Sequence, residues 1–235
     1  MDNKKSIAVL TSGGDAPGMN AAVRAVARTA LAKGFKVFGV MRGYNGLING
    51  DLRELNLRSV SDTINRGGTV LYTARCAEFK TEEGMQKAVN TCKKFGICGV
   101  IVIGGDGSFR GAQDLSARGI PSVGIPGTID NDIDSSDYSI GFDTALDTIM
   151  KDVDRIRDTS QSHERCSVVE VMGRNAGWLA LESGIAVGAT AIIVKEVPFD
   201  FDKDIIQKFK KTLETGKKHF IVIISEGVGK VEELS

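Results

Sequence analysis

The chain has 235 residues, 42% of them hydrophobic and 26% charged, and 30 basic side chains balance 30 acidic ones. This composition is that of a globular protein with room for one large domain or two small ones. The balanced charge favours neither nucleic acid nor an anionic membrane as a partner, and the sequence shows neither a signal peptide nor ~20 successive apolar residues, so we expect a cytoplasmic protein.

Short apolar runs alternate with helical patterns along the whole chain. The predicted strands are 6–10, 36–41, 100–103, 121–125, 167–171, 191–194 and 220–224. The predicted helices are 20–32, 60–65, 82–94, 108–117, 139–157, 176–187 and 203–215. This alternation predicts parallel strand pairing through right-handed crossovers, and therefore an α/β fold with a doubly wound sheet. The polar run 130–137 suggests a change of domain near 137–141.

Three glycine-rich turns that contain aspartate each follow a predicted strand. They read Thr-Ser-Gly-Gly-Asp at 11–15, Gly-Gly-Asp-Gly-Ser at 104–108 and Pro-Gly-Thr-Ile-Asp-Asn-Asp at 126–132. Glycine allows the backbone to approach a ligand, and its N–H groups can hold phosphate oxygens. Aspartate would repel phosphate unless a divalent cation lay between them or the carboxylate served as a base. Since doubly wound sheets bind ligands at the carboxyl ends of their strands, the turns indicate phosphoryl transfer.

Each turn also has a purely structural interpretation. The first suits any tight strand-to-helix connection, and it lacks both a Walker A lysine and a clean dinucleotide Gly-x-Gly-x-x-Gly. Asp106 could be a plain helix N-cap, although a Mg²⁺ ligand explains its flanking glycines better. Asp130 and Asp132 could lie in a solvated turn. In an extended or irregular loop both could face one cavity, one as a base and the other holding metal-bound water.

Three arginines lie near the ends of strand-like segments: Arg75, Arg165 and Arg174. A surface arginine is often only solvated charge, but several at strand ends match a sugar phosphate and a developing phosphoryl charge. The two histidines, His163 and His219, are interpreted as structural or surface groups.

The four cysteines lack the spacing of a zinc site and are interpreted as reduced thiols. Three of them are expected to be buried or half-buried small hydrophobic side chains, namely Cys92, Cys98 and Cys166.

Several segments together resemble the phosphofructokinase family, in particular its bacterial ATP-dependent 6-phosphofructokinases. They are 11–20, 104–108, 126–132 and 171–174, with 65–68 and 158–163 fitting as well. The resemblance implies transfer of the γ-phosphoryl group of MgATP to the 1-hydroxyl of fructose 6-phosphate. It implies a phosphofructokinase-like α/β fold with two doubly wound sheets in three αβα layers. An ATP- and Mg²⁺-binding domain would span 1–138, and a sugar-phosphate domain would span 139–235 and be incomplete, since family chains continue further.

The resemblance also implies a role for each matching residue. Asp130 would be the catalytic base, with Thr128, Arg75 and Arg174 assisting the transfer. The residues expected to bind ATP are Gly14, Tyr44, Arg75, Cys76, Gly105, Asp106, Gly107 and Ser108. Those expected to bind fructose 6-phosphate are Thr128, Ile129, Asp130, Arg165, Met172, Gly173, Arg174 and Glu226. Mg²⁺ would be held by Asp106, and by Asp132 through water, and Arg165 would reach in from a neighbouring subunit of a homotetramer.

Two further implications concern the donor and regulation. Relatives that use pyrophosphate carry bulkier residues where this chain has Gly107 and Gly127, so these glycines are expected to leave room for ATP. An effector pocket for ADP or phosphoenolpyruvate would use Arg24, Arg28, Arg157, Gly188 and Lys217. Departures from that pocket occur at Leu57, Thr190 and Thr215.

Two alternatives stay open at this point. A relative of NAD kinases or lipid kinases would also carry Gly-Gly-Asp-Gly, but the third turn and the segment 172–174 count against it. A non-catalytic nucleotide-binding module would not need Asp106 and Asp130, and both are present.

Overall fold

The computed structural model describes residues 5–134 and 136–228 of the chain. They fall into two compact units, one of Met1–Thr128 with Asp132–Gly141 and the other of Ile129–Asn131 with Phe142–Ser235. The predicted α/β class is confirmed. The assignment of a nucleotide domain over 1–138 and a sugar-phosphate domain over 139–235 stays a prediction.

The first unit is built on a six-stranded sheet. Its elements are β1 (Ser6–Thr11), α1 (Met19–Ala32), β2 (Lys36–Val40), α2 (Tyr44–Asn49), β3 (Leu52–Leu55), a 3₁₀ turn (Glu78–Lys80), α3 (Glu82–Lys94), β4 (Ile97–Gly104), α4 (Asp106–Ala117), β5 (Ser122–Thr128) and β6 (Ile140–Gly141). The strand order is β3-β2-β1-β4-β5-β6. Every neighbouring pair is parallel except β2–β3, which is antiparallel. The expectation of wholly parallel pairing is therefore wrong at this edge, where the short α2 connection returns the chain beside β2.

Helices cover both faces of this sheet. On one face, Ala8 and Leu10 of β1 share a buried cluster with side chains of α2, α3 and α4. On the other face, α1 packs along β1, β2 and β4, and its Met19 lies beside Ile103. Because both faces are covered, the stretches 7–10 of β1 and 100–103 of β4 are apolar without alternation, as a buried parallel strand requires.

The second unit is built on a three-stranded parallel sheet of order β7-β9-β8. Its elements are α5 (Phe142–Ser162), β7 (Cys166–Val171), α6 (Trp178–Ala186), β8 (Ala191–Ile193), a π-helical turn (Asp202–Ile206), α7 (Gln207–Glu214) and β9 (Phe220–Ser225). The central strand β9 is buried along its whole length. Ile221 and Ile223 pack with α5 and α6, whereas Val222 and Ile224 pack with Ile205 and Phe209, so both faces are covered here too.

The segment 56–77 differs from its prediction, because the helix expected at 60–65 is a series of turns. Two local features prevent the helix. The Asn56 side chain accepts hydrogen bonds from the backbone N–H groups of Arg58 and Ser59, and Asp62 adopts the left-handed conformation with φ 53°. Hydrogen bonds from backbone N–H groups to a nearby side chain compete with the hydrogen bonds of a helix. The segment therefore joins β3 to the 3₁₀ turn without a helix or strand.

The cysteines are only partly where they were expected. All four are free thiols, and Cys92 is buried, but Cys98 and Cys166 are exposed, so their predicted burial is wrong. Cys98 is the second residue of β4, where the pairing with β1 shifts register between Ile97 and Gly99. Burial raises the pKa of the Cys92 thiol to about 11, which makes it an unreactive packing group. Within the described residues, no helix is long and apolar enough to cross a membrane.

Candidate functional site

The carboxyl ends of β1, β4 and β5 meet at one edge of the first sheet, because these strands are parallel neighbours in that order. We call the segments at these ends, 12–18 after β1, 105–108 at the start of α4 and 126–128 at the end of β5, the glycine edge. The backbone N–H of Ser12 donates to the Ile103 carbonyl at 3.0 Å, which ties the first turn to β4. The sheet topology therefore brings together predicted site residues that are far apart in sequence.

At some positions of this edge, close packing leaves little room for any residue larger than glycine. A Cβ at Gly104 would lie 2.5 Å from both the Ser108 hydroxyl and the Ser12 carbonyl oxygen. Gly13 has φ 88°, and a Cβ there would lie 3.6 Å from the same hydroxyl. A Cβ at Gly105 would approach Thr128 to 3.6 Å. The start of α4 thus lies close to both the first turn and the end of β5.

Two other glycines face open space instead. A Cβ at Gly14 or at Gly107 would meet no protein atom within 4 Å, so neither glycine is required by the packing of the chain. Gly127 is different, since it is buried and a Cβ there would lie 3.0 Å from Ile103. Packing against Ile103 therefore accounts in part for the glycine at 127, whereas position 107 opens to solvent, and the expectation that both glycines leave room for ATP stays a prediction.

Asp106 is the first residue of α4, and Gly105 is its N-cap. The interpretation of Asp106 as a plain N-cap is therefore wrong. Its carboxylate is half exposed and forms an ion pair with Arg110 one turn along the helix, at 2.8 Å. The N-terminus of a helix attracts anions through its free N–H groups and its dipole. Asp106 thus adds a carboxylate to a location that otherwise suits phosphate.

A magnesium ion fits these residues only together with phosphate. Within the described part of the chain, no three His, Cys, Asp or Glu side chains are grouped so that they could hold a metal. Mg²⁺ is commonly bound by one or two carboxylates plus substrate phosphates and water, rather than by an all-protein cage. A single half-exposed carboxylate beside a helix N-terminus is compatible with that arrangement.

Tyr44 lies beneath the first turn of α4. It is 5% exposed, its hydroxyl donates to the Ser108 carbonyl at 2.6 Å, and its ring stacks on Phe79 at 3.9 Å. Burial, with a smaller contribution from Asp114, raises the pKa of this hydroxyl. The contacts found for Tyr44 support the turn that carries Asp106 and Ser108, and its predicted contact with ATP stays a prediction.

Arg75 and Cys76 end a segment that lies against the first glycine turn. The Thr73 hydroxyl donates to the Gly13 carbonyl at 2.6 Å. Arg75 is exposed, and no ion pair forms between it and any described carboxylate. Cys76 is partly buried and packs against the core of the first unit. Arg75 thus lies two residues from a direct contact with the glycine edge, with its guanidinium available to an anion.

The third turn is divided between the two units. Ile129–Asn131 belongs to the second unit and Asp132 to the first. Ile129 packs against the cluster that contains Val171, so it is a core side chain of the second unit. Asn131 is left-handed with φ 51°, which makes the loop irregular rather than extended. That Asp106 and Asp130 face one cleft stays a prediction.

In the second unit, the carboxyl ends of β7 and β9 bring four predicted residues together. We call this group, Met172, Gly173, Arg174 and Glu226, the charged edge. The Glu226 N–H donates to the Val171 carbonyl at 2.9 Å, and the Glu226 carboxylate accepts the Arg174 backbone N–H at 2.7 Å.

The backbone of the charged edge is constrained. Arg174 is left-handed with φ 55°, a conformation that is uncommon for a residue with a side chain. Gly173 has φ 147°, and a Cβ there would collide with the Ala176 carbonyl oxygen. Strained backbone of this kind is found where a site requires a fixed side-chain direction. Met172 is 66% exposed beside it.

Arg165 lies apart from the charged edge, before the opposite end of β7. Arg165 and Met172 flank the six-residue strand and are seven residues apart, about 23 Å at ~3.3 Å per residue. It lines an open groove of about 320 Å³ whose other lining residues are Arg155, Ile156, Thr159, Ser160 and Ser167. Arg165 is therefore not brought together with the residues of the charged edge.

The predicted effector residues of the second unit do meet. The Arg157 guanidinium donates to the Val187 carbonyl, next to the left-handed Gly188. The pKa of His219 is lowered mainly by desolvation, and further by the positive charges of Lys217 and Arg157. This histidine therefore lies in the same basic cluster. The interpretation of His219 as a structural or surface group stays a prediction. Arg24 and Arg28 lie on α1 in the first unit.

Comparison with known proteins adds independent information. The family described as Phosphofructokinase matches residues 6–235. The ATP-dependent 6-phosphofructokinases of Halalkalibacterium halodurans and Clostridium botulinum are each 59% identical to the chain, over 225 and 231 residues. These alignments cover 96% and 98% of the chain but 70% and 72% of the relatives. The solved phosphofructokinase of Saccharomyces cerevisiae aligns with a TM-score of 0.88 and 38% identity, over 95% of this chain and 33% of that one.

Proposed function

The chain belongs to the phosphofructokinase family, and we propose that it transfers the γ-phosphoryl group of MgATP to the 1-hydroxyl of D-fructose 6-phosphate. The products are fructose 1,6-bisphosphate and ADP, and the reaction is the committed step of glycolysis. The observation that carries this proposal is the glycine edge, where Gly14 and Gly107 leave open space beside Asp106 and the N-terminus of α4. Both relatives at 59% identity bear the name of this ATP-dependent activity.

The donor would bind at the glycine edge. Backbone N–H groups at the start of α4 would hold phosphate oxygens, and the open positions at Gly14 and Gly107 would admit the chain of phosphates. Asp106 would hold the Mg²⁺ that accompanies the nucleotide, and this ion neutralises phosphate charge when bound. Gly105, Ser108, Tyr44 and Cys76 would complete the nucleotide site, and Asp132 would act on the metal through water.

The acceptor would bind at the charged edge, with Thr128, Ile129 and Asp130. Arg174 would pair with the sugar phosphate or the transferring group, and the Glu226 carboxylate would accept hydrogen bonds from sugar hydroxyls. Asp130 would take the proton of the 1-hydroxyl while its oxygen attacks the γ-phosphorus, and ADP would leave. Arg75 and Arg174 would stabilise the charge that develops on the phosphoryl oxygens.

The quaternary and regulatory parts of the proposal rest on the family resemblance. Arg165 lies far along β7 from the charged edge, which supports its use by a neighbouring subunit of a homotetramer. The cluster of Arg157, Lys217 and His219 beside Gly188 supports an anionic effector such as ADP or phosphoenolpyruvate. We propose a cytoplasmic enzyme.

The proposal is tested by fructose 6-phosphate-dependent release of ADP, with Asp130→Ser as the variant. A general base contributes ~10²–10⁴-fold, so turnover should fall by at least about a hundredfold. Asp134→Ser, in the same loop, is the matched control and should retain parental turnover. Asp130→Ser activity within tenfold of the parent would contradict the role of Asp130. If the parent bound MgATP but no sugar phosphate stimulated ADP release, a nucleotide-binding module would be favoured instead.

A further inference from the structure

Asn20, in the first turn of α1, has a buried side-chain amide whose nitrogen and oxygen both form hydrogen bonds. It is 1% exposed. Its Nδ2 group donates to the Arg66 carbonyl at 2.8 Å and to the Gly67 carbonyl at 3.3 Å, and its Oδ1 atom accepts the Val70 N–H at 2.7 Å. All three partners lie in one short stretch of backbone about fifty residues away. A buried amide that is satisfied on both sides fixes its partners in one geometry.

Threonine hydroxyls continue this attachment along the same stretch. The Thr11 hydroxyl, at the end of β1, bonds the Thr69 hydroxyl at 2.8 Å and donates to the Tyr72 carbonyl at 3.1 Å. The Thr73 hydroxyl donates to the Gly13 carbonyl at 2.6 Å. We call the segment 66–73 together with these bonds the threonine-asparagine clamp. It holds the segment against β1 and the first glycine turn.

The segment needs such attachment because it has no regular structure of its own. Residues 56–77 form neither helix nor strand, and a connection of this length without secondary structure is uncommon unless it serves a function. Tyr72 is left-handed with φ 57°, just before Thr73. Arg75 follows two residues after Thr73, so its backbone position is set by the clamp.

We propose that Asn20 is a positioning residue, which places Arg75 for phosphoryl transfer by holding segment 66–73 against the glycine edge. The inference rests on the proposed function, since Arg75 acts on the phosphoryl group there. Asn20 works through backbone carbonyls and through Thr73 rather than through the ligands. A purely structural anchor would stabilise the fold without acting through Arg75, and the two roles are separable by experiment.

A double-mutant cycle separates them. Asn20→Asp keeps the shape and the acceptor of the side chain and removes both donated hydrogen bonds. Misplacement of a catalytic group by about 1 Å costs ~10²-fold, so we expect kcat to fall about 10- to 100-fold in this variant. In the Arg75→Ala background the same change should cost less than about threefold, because residues that act together are not additive. Equal fold-losses in both backgrounds would overturn the proposal.

Two controls keep the test decisive. Asn49→Asp alters an exposed amide that bonds Asn45 on α2, and it should leave kcat unchanged. Thr73→Val removes the bond to Gly13 without touching the buried amide, so it replaces Asn20→Asp if that variant does not fold, and it should show the same dependence on Arg75. If the parent lacks phosphoryl transfer, the proposed function fails. In that case the clamp is tested by amide hydrogen exchange, which should be at least tenfold faster over residues 66–73 in Thr73→Val than in the parent. Equal exchange rates in the two proteins would show that the clamp does not hold the segment.

Discussion

The glycine edge and the charged edge present different chemical groups. At the glycine edge, the first unit offers backbone N–H groups, a helix N-terminus and empty space beside Gly14 and Gly107. At the charged edge, the second unit offers a guanidinium and a carboxylate on backbone held in unusual conformations at Gly173 and Arg174. The first arrangement suits a chain of phosphates, and the second suits a ligand with both hydroxyl and phosphate groups.

This difference determines which kind of substitution should weaken ligand binding at each edge. Where ligand recognition depends on open space and backbone N–H groups, adding atoms should weaken ligand binding without lowering the stability of the fold. Where recognition depends on charged side chains, removing a charge should weaken ligand binding. The comparison therefore predicts opposite sensitivities, and Asp106 is the exception, because it is a charged group that lies at the glycine edge.

Removal of the Asp106 carboxylate should have the largest effect. Asp106→Asn keeps the shape of the side chain and removes the proposed metal ligand. Since metal-assisted charge stabilisation is worth several kcal/mol, we expect kcat to fall about 10³-fold and the Mg²⁺ requirement to rise. Steady-state rates measured across a Mg²⁺ titration test this.

The ion pair between Asp106 and Arg110 supplies the control for this prediction. The pair is exposed and should contribute little to stability. Arg110→Gln removes the partner and leaves the carboxylate in place, so it should retain activity within about threefold of the parent. If both variants lost activity equally, the ion pair rather than a metal would explain the importance of Asp106.

An added carboxylate at Gly107 should have the next largest effect. Gly107 lies in the first turn of α4 with no protein atom near a Cβ, so Gly107→Asp fits the fold and places a favourable charge at a helix N-terminus. The same charge would repel the phosphates of the donor, which costs several kcal/mol at an interface. We expect MgATP affinity to fall about 10²-fold by calorimetry, with no loss of thermal stability.

Gly107→Ala separates space from charge at this position. Replacing a helical glycine by alanine stabilises a helix by about 0.5–1 kcal/mol, so its melting temperature should not fall. Its MgATP affinity should lie between those of the parent and Gly107→Asp. If Gly107→Asp bound MgATP as tightly as the parent, the open space at Gly107 would not belong to the donor site.

The elements of the first unit differ in how far the sequence alone predicted them. Parallel strands and long helices were predicted because buried apolar runs and helical periodicity are local signals, as in β4 and α3. The short helix α2 and the antiparallel β3 were not, since a four-residue edge strand at Leu52–Leu55 has too few residues to show a pattern. The expected helix at 60–65 failed because Asn56 and Asp62 favour turns.

The same contrast holds for the site. Glycine and aspartate are adjacent in the turns of the glycine edge, so a few residues were enough to predict a phosphate site there. Arg174 and Glu226 are about fifty residues apart, and they become neighbours only because β7 pairs with β9. Asn20 lies in the resembling segment 11–20, but its positioning role could not be predicted from the sequence, because that role depends on three backbone partners in a distant irregular segment.

Neutralisation of Glu226 should have the smallest effect, and it tests the charged edge directly. The Glu226 carboxylate accepts the Arg174 backbone N–H at 2.7 Å, and Gln in its place keeps an acceptor but loses the charge. A hydrogen bond to a charged group is worth about 1.5–3 kcal/mol, so we expect KM for fructose 6-phosphate to rise about tenfold and kcat to change little.

Glu196→Gln is the matched control, because the Glu196 carboxylate likewise accepts a backbone N–H, that of Gly177, at 2.6 Å in the same unit. Gly177 is not among the residues of the charged edge, so this variant should leave KM for the sugar phosphate at the parental value. A tenfold rise in both variants would mean that loosening the second unit is enough to weaken binding. A rise confined to Glu226→Gln would assign the effect to the carboxylate beside Arg174, and the charged edge would then depend on charge as the glycine edge depends on space.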